Sequence, residues 1–168
     1  FIGLGTNQGG HNGYSPFSQV LNNLQQILGI SAVCAGGNEV GFRHHYFGRV
    51  TQSSAFDEVE LKVGDEERGF VMELWANLPE IYTVGFVSPT GEVIDRIPFR
   101  AGEDTTVRFS LENTTITVSY VASIGGQNDF LALMRFSAPT SGIWRIRIYP
   151  TVSITGVYHL WLPLHGFL

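Results

Sequence analysis

The chain has 168 residues, about one domain or slightly more. Ten Lys and Arg against fifteen Asp and Glu give a net charge of −5, which argues against a nucleic-acid partner, because phosphate binding needs clustered positive charge. A hydrophobic share of 43% permits a sizeable core, and the single cysteine, Cys34, excludes an intrachain disulfide framework and a Cys-rich zinc site.

No run of 18 apolar residues occurs, so no membrane span is expected. No signal peptide is visible, and localisation stays open. The first residue is Phe1, not Met, and the chain is expected to be an internal piece of a longer protein. Its first 38 residues carry no Asp, Glu, Lys or Arg, and 10 of the 20 glycines lie in residues 1–48. Phe1-Ile2-Gly3-Leu4 reads as a short buried strand, and a Gly/Asn loop runs from Gly5 to Tyr14. Ser15-Pro16 opens a helix, since Ser caps free N–H groups and Pro suits the first helical position. Phe17, Val20, Leu21, Leu24, Ile27 and Leu28 recur at helical spacing until Gly29 ends the run. Ile30 to Ala35 is a second apolar run without alternation, as in a strand covered on both faces. The expectation is one parallel β-α-β unit from an α/β sheet, too small to bury its own faces. Its exposed edges are expected to favour strand swapping or oligomeric association of the isolated chain.

From Phe56 the pattern changes to period two. Val59, Leu61 and Val63 alternate with charged residues, Ile116, Val118 and Tyr120 with Thr and Ser, and Trp144, Ile146 and Ile148 with Arg145 and Arg147. Further strands are expected at Gly69–Ala76, Ile81–Val87, Glu92–Phe99, Thr105–Leu111, Phe130–Phe136 and Gly156–Leu162. Turn signals separate them, among them Gly64-Asp65, Pro89-Thr90-Gly91, Gly125-Gly126 and Pro139–Gly142. About nine short strands in this arrangement read as an all-β antiparallel sandwich of jelly-roll type, so the whole is mostly β. The composition break divides the chain into 1–48 and 49–168.

The string with most chemical content is Val33-Cys34-Ala35-Gly36-Gly37-Asn38-Glu39, at the C-terminal end of the second expected strand, where reacting groups of open α/β sheets gather. Paired glycines admit a substrate backbone, and an Asn beyond them can aim a side-chain N–H₂ at a developing oxyanion. From the spacing alone Asn38 reads more readily as a turn residue of positive φ. His44-His45 point apart in an extended segment and lack further ligands, so packing is favoured over metal. Cys34 reads as a small buried hydrophobe, and Trp75, Trp144 and Trp161 read as core, Trp144 facing inward. The Gly3-x-Gly5-x-x-x-Gly9 spacing is wrong for a dinucleotide, and Asp65-Glu66-Glu67 is a solvated turn, not a calcium site. No cofactor or metal is expected.

Ala35-Gly36-Gly37-Asn38-Glu39 and Gly3-Leu4-Gly5 resemble the oxyanion segment and cleft strand of subtilisin-like serine peptidases (subtilases). The wider set, Gly5 to Gly13, Ser15-Pro16, Gly37-Asn38-Glu39 and His44-His45-Tyr46, is similar to a bacterial subgroup related to the clostridial germination (Csp-type) subtilases, in which a jelly roll is inserted after this region. The resemblance implies that 1–48 is part of a catalytic domain and 49–168 is the insert. It implies that Asn38 is the oxyanion-hole Asn, that Gly3, Leu4 and Gly5 pair with a peptide or protein substrate, and that Ala35, Gly36 and Gly37 form the opposite wall. Gly3 and Gly36 stand where the family carries Ser and Ala, which widens the pocket. The triad Asp and His are expected before this chain and the Ser after it, since no Gly-Thr-Ser-Met/Ala-Ala segment occurs. The chain alone is therefore expected to be inactive. The alternatives are a non-catalytic sandwich binding carbohydrate or protein, which needs exposed aromatic rings, and a pseudoprotease scaffold.

Overall fold

The computed structural model describes residues 1–39, 41–50, 54–123 and 128–164. Two antiparallel sheets dominate it. Ten strands supply them: β1 (His45–Arg49), β2 (Asp57–Val63), β3 (Gly69–Asn77), β4 (Ile81–Val87), β5 (Val93–Ile94), β6 (Asp104–Arg108), β7 (Thr115–Ala122), β8 (Asp129–Ser137), β9 (Gly142–Val152) and β10 (Val157–Trp161). One sheet has the order β1-β10-β3-β8-β7-β6, the other β2-β9-β4-β5.

Period-two alternation sends one row of each strand into the space between the sheets. Val59, Leu61 and Val63 of β2 enter it with Trp144, Ile146 and Ile148 of β9. From the larger sheet come Phe70, Met72 and Leu74 of β3, Phe130, Met134 and Phe136 of β8, and Ile116, Val118 and Tyr120 of β7. Phe136 is a centre of this layer. It stacks on Phe70 at 4.6 Å and meets Trp144 and Phe86 edge-on at 5.8 and 5.7 Å. Such offset and T-shaped pairs add to area burial because a positive ring edge faces a negative ring face. Tyr120 brings a polar atom into the core and satisfies it twice: its hydroxyl accepts from Val84 N–H and donates to the Ile97 carbonyl, each at 3.0 Å. Burial pushes its hydroxyl up to about 12.

The parallel β-α-β expectation is overturned. The helix α1 (Pro16–Gln25) forms as read, with the Ser15 hydroxyl accepting from Ser18 N–H and Pro16 at its start. The flanking segments, however, are not strands. They touch at one isolated parallel bridge, Ile2 to Cys34, where Ile2 N–H donates to Val33 O at 2.8 Å and Ala35 N–H to Ile2 O at 2.9 Å. A ladder grows where it also buries side chains. Here Ile30 and Val33 are 43% and 57% exposed, Cys34 is exposed and not buried as expected, and no residue of α1 is buried. The sandwich itself keeps the expected jelly-roll order, β1-β10-β3-β8 in one sheet and β2-β9-β4-β5 in the other, with β7 and β6 added beyond β8 at the edge of the larger sheet.

Other departures are local. The expected strand Glu92–Phe99 contracts to Val93–Ile94. Glu92 turns its carboxylate to the N–H groups of Ser110 and Leu111, and Pro98 has no N–H to give a ladder. The expected Thr105–Leu111 strand stops at Arg108, after which Phe109 N–H bonds Thr114 O and closes the turn. The turn signal Gly125-Gly126 lies outside the described residues. Strand β1 had no clear strand signal, because Gly48 interrupts its pattern.

That glycine is required by a close approach. A Cβ on Gly48 would lie 2.0 Å from Cζ of Tyr158, whose ring is wholly buried and whose hydroxyl donates to Asp57 of the other sheet. Gly48→Ala is therefore expected to destabilise the fold by about 2–3 kcal/mol, through displacement of a core ring, measured as a lower urea midpoint at unchanged m-value.

Glu80, 4% exposed, closes the turn before β10. Its carboxylate accepts from the N–H groups of Ile154 and Thr155 and from the Thr155 hydroxyl. Burial pushes its carboxyl up, but these donors outweigh it and hold the group below the usual range. A depressed carboxyl stabilises the fold above its ordinary value of 4.5 and loses that contribution as pH falls through the lower folded value. Glu80→Gln is expected to cost about 1.5–3 kcal/mol at neutral pH, and denaturant titrations should show the gap to the native chain closing in acid.

Candidate functional site

The residues assigned from sequence to the cleft lie at one end of the Ile2–Cys34 bridge. Because the bridge is parallel, Gly3-Leu4-Gly5 and Ala35-Gly36-Gly37-Asn38 leave it in the same direction. All seven are exposed, Leu4 at 87%. A Cβ on Gly5, Gly36 or Gly37 would meet nothing within 4 Å. The left-handed backbone that a turn role would assign to Asn38 is taken by Gly37, with φ at 84°. The two segments thus run side by side as exposed edges, with Ala35 N–H held by Ile2 O.

A second constellation, not found from sequence, covers the outer face of the six-stranded sheet. Alternation places His45 and Phe47 of β1, His159 and Trp161 of β10, Glu73 and Trp75 of β3, and Asp129 of β8 on that face. Residues 9–12, which follow the Gly3–Gly5 segment, form a strap across it. Glu73, 6% exposed, accepts from Gly9 N–H at 2.9 Å and from the Trp75 indole N–H at 2.7 Å. Asp129, 7% exposed, receives the Asn12 amide on both oxygens, at 2.9 and 2.7 Å. His11 lies flat on Trp161, with ring centroids 3.8 Å apart and planes within 3°. His45 stacks on Trp161 at 4.0 Å, and its Nε2 is 2.9 Å from Nδ1 of His159. Gly9 and Gly13 hold left-handed backbone, φ 95° and 81°, at the two ends of the strap.

Beside the strap runs a groove of about 730 Å³ lined by the rings of Trp75, Trp161 and His159 and by Arg49, Asn77 and Glu80. The carbohydrate alternative needs bare aromatic faces. Trp144 is fully buried, as expected, whereas Trp75 and Trp161 are outer-face residues and not core, with His11 on the Trp161 ring. His44 and His45 do point apart: His44 lies 3.3 Å from Glu39, on the side away from the Trp161 stack. No group of three His, Cys, Asp or Glu among the described residues is placed to hold a metal ion.

The sequence signal for this face was faint. Glu73 and Trp75 sit two apart on a strand, so they share a face, but nothing local tells that the acid will meet a loop 64 residues earlier. Glu73→Ala removes the acceptor of both N–H groups. Amide exchange at Gly9 is expected to accelerate by about 10- to 100-fold, while core amides such as that of Ile146 keep their protection.

No protein-family model matches the chain, and no curated protein matches it. Three chains of solved structures do. One is the CspB protease of Clostridium perfringens, at 26% identity and a TM-score of 0.84 over 96% of this chain and 34% of that one. This chain therefore spans about a third of that protease and is distantly related to it.

Proposed function

We propose that this chain is a section of a subtilisin-like serine endopeptidase that carries its oxyanion Asn and an inserted β-sandwich. On this reading residues 1–48 belong to the catalytic domain and the sandwich follows, while the Asp, His and Ser of the triad belong to other parts of the protein. The observation that carries it is the likeness in fold to a protease over 96% of the chain, joined to the Asn38 segment lying beside Gly3-Leu4-Gly5 at one end of a shared bridge. Both parts are needed, since a fold alone does not assign a reaction.

The chemistry follows from the arrangement. A substrate strand enters between the two exposed edges and forms backbone hydrogen bonds with Gly3–Gly5 on one side and Ala35–Gly37 on the other. Absent side chains at Gly3, Gly5, Gly36 and Gly37 let it come close. When the triad serine attacks the peptide carbonyl, the carbonyl oxygen gains charge, and the Asn38 N–H₂ donates to it. That bond is stronger in the transition state than to the neutral carbonyl, so it lowers the barrier more than it tightens binding.

In the intact peptidase, Asn38→Ala is expected to lower kcat by about 10²–10³-fold, the magnitude known for the corresponding donor in subtilisin itself, with little change in KM. Gly36→Val should instead raise KM by obstructing the wall. Steady-state kinetics on a peptide anilide separate the two. A kcat for Asn38→Ala within about twofold of the native enzyme would remove Asn38 from the oxyanion role.

A further inference from the structure

We propose that the strap 9–12 is a pH-gated latch: it is docked on the outer face of the six-stranded sheet while His11 and His45 are neutral, and it is released when they are protonated. The inference goes beyond the peptidase reading and stands on the strap and the sheet alone.

The geometry sets three imidazoles around one indole. His11 covers Trp161 from the strap, His45 stacks on Trp161 from β1, and His159 of β10 bonds His45. The contact between His45 Nε2 and His159 Nδ1, at 2.9 Å, is a hydrogen bond only if one nitrogen carries a proton and the other does not. Doubly protonated rings would set two N–H groups and two positive charges against each other. His11 lies next to this pair, so a third charge would add to the repulsion.

The charged groups facing the cluster do not cancel this. Glu73 of β3 favours a charged His11, but its carboxylate is already engaged by Gly9 N–H and the Trp75 indole. Asp129 of β8 is taken by Asn12. Arg49 of β1 lines the groove as a further positive charge, and Glu80 is bound to Ile154 and Thr155. Burial in the docked state holds both His11 and His45 below the ordinary 6.5, with His159 pushing each further down and Glu73 opposing at His11. A histidine lowered in the docked state supports docking above its free value and withdraws that support as pH falls below it. At about pH 5.5, one unit below the ordinary value, a His11 kept fully neutral weakens docking by up to about tenfold, whereas His45 keeps its His159 neighbour in both states and couples to docking only through the cover of the strap and the charge of His11.

On release, Trp161 and Trp75 would lose their cover, and Glu73 and Asp129 would lose the strap donors. Gly5 is four residues from Gly9, so the Gly3–Gly5 segment would lose an anchor. That last consequence rests on the peptidase reading; the latch does not.

The test is amide exchange on the whole 168-residue chain, corrected for the intrinsic pH dependence, at about pH 7.5 and pH 5.5. The Gly9 amide reports the latch and the Ile146 amide the core. The expected result is a loss of Gly9 protection of about threefold or more at the lower pH, with Ile146 unchanged, and no such loss in the His11→Phe/His45→Phe double variant, which keeps stacked rings without titrating protons. Gly9 protection that stays within threefold in the native chain overturns the proposal. So does an equal loss in the double variant, or a parallel loss at Ile146. Should the double variant fail to dock at the higher pH, the native chain decides: the Gly9 amide shift must follow the same midpoint as the His11 and His45 imidazole resonances, and a different midpoint overturns the latch.

Discussion

The alternation of five residues in β10 ties this molecule together. Successive side chains of a strand point to opposite faces, so Tyr158 and Leu160 must go inward if His159 and Trp161 go outward. Inward, Tyr158 fills the space above Gly48, leans on Tyr82 and bonds Asp57 of the opposing sheet. Outward, His159 and Trp161 receive His45 and His11. The strand also pairs with β1 on one side and β3 on the other. A one-residue slip of β10 would exchange the two sets, placing a tyrosine in water and an imidazole in the core. The register of this strand therefore fixes the inter-sheet core and the strap contact together.

The two contacts differ in kind. The core is held by large apolar area and by aromatic edges and faces, an interaction without a switch in the physiological pH range. The strap is held by three hydrogen bonds to two nearly buried carboxylates and by one ring stack. Hydrogen bonds to charged groups contribute about 1.5–3 kcal/mol each and a ring stack about 1 kcal/mol, against the entropy of ordering four residues, two of them glycine. The balance is small enough for a protonation change to alter it. The acids also account for the neutral partners: Glu73 and Asp129 are met by N–H donors, whose dipoles compensate a buried carboxylate without adding a second buried charge.

The segment 1–38 obeys different rules from the rest because its apolar groups have nowhere to go. Phe17, Val20 and Leu24 form the apolar stripe of α1, Ile27 and Leu28 follow in the turn after it, and all five are 41% to 100% exposed. The helix itself was readable, because the Ser15 cap, Pro16 and the spacing of the stripe are local. The strands expected beside it do not form for the same reason that the helix stripe is bare. A parallel strand forms only beside other strands, and a run such as Ile30–Ala35 carries the apolar composition of a covered strand without supplying its neighbours. One bridge remains where several were expected. Gly3–Gly5 and Ala35–Asn38 stand out in the sequence by their strings, but their common direction from the Ile2–Cys34 bridge required the fold.

The sequence by itself determined the alternating strands at 57–63, 115–122 and 142–152 and, from apolar runs between turn signals, those at 69–77, 81–87 and 129–137, and with them the sandwich. It did so because period-two patterning records which face of each residue meets the core. Strand β1 and the strap-binding face were decided by tertiary structure alone. Gly48 looks like a break in a strand until Tyr158 is set against it, and Glu73 and Asp129 look like ordinary outer-face acids until Gly9 and Asn12 arrive from more than 60 residues away. The physical reason is common to both: a close approach or a buried hydrogen bond is a property of two distant segments, and no local pattern in either one encodes its partner.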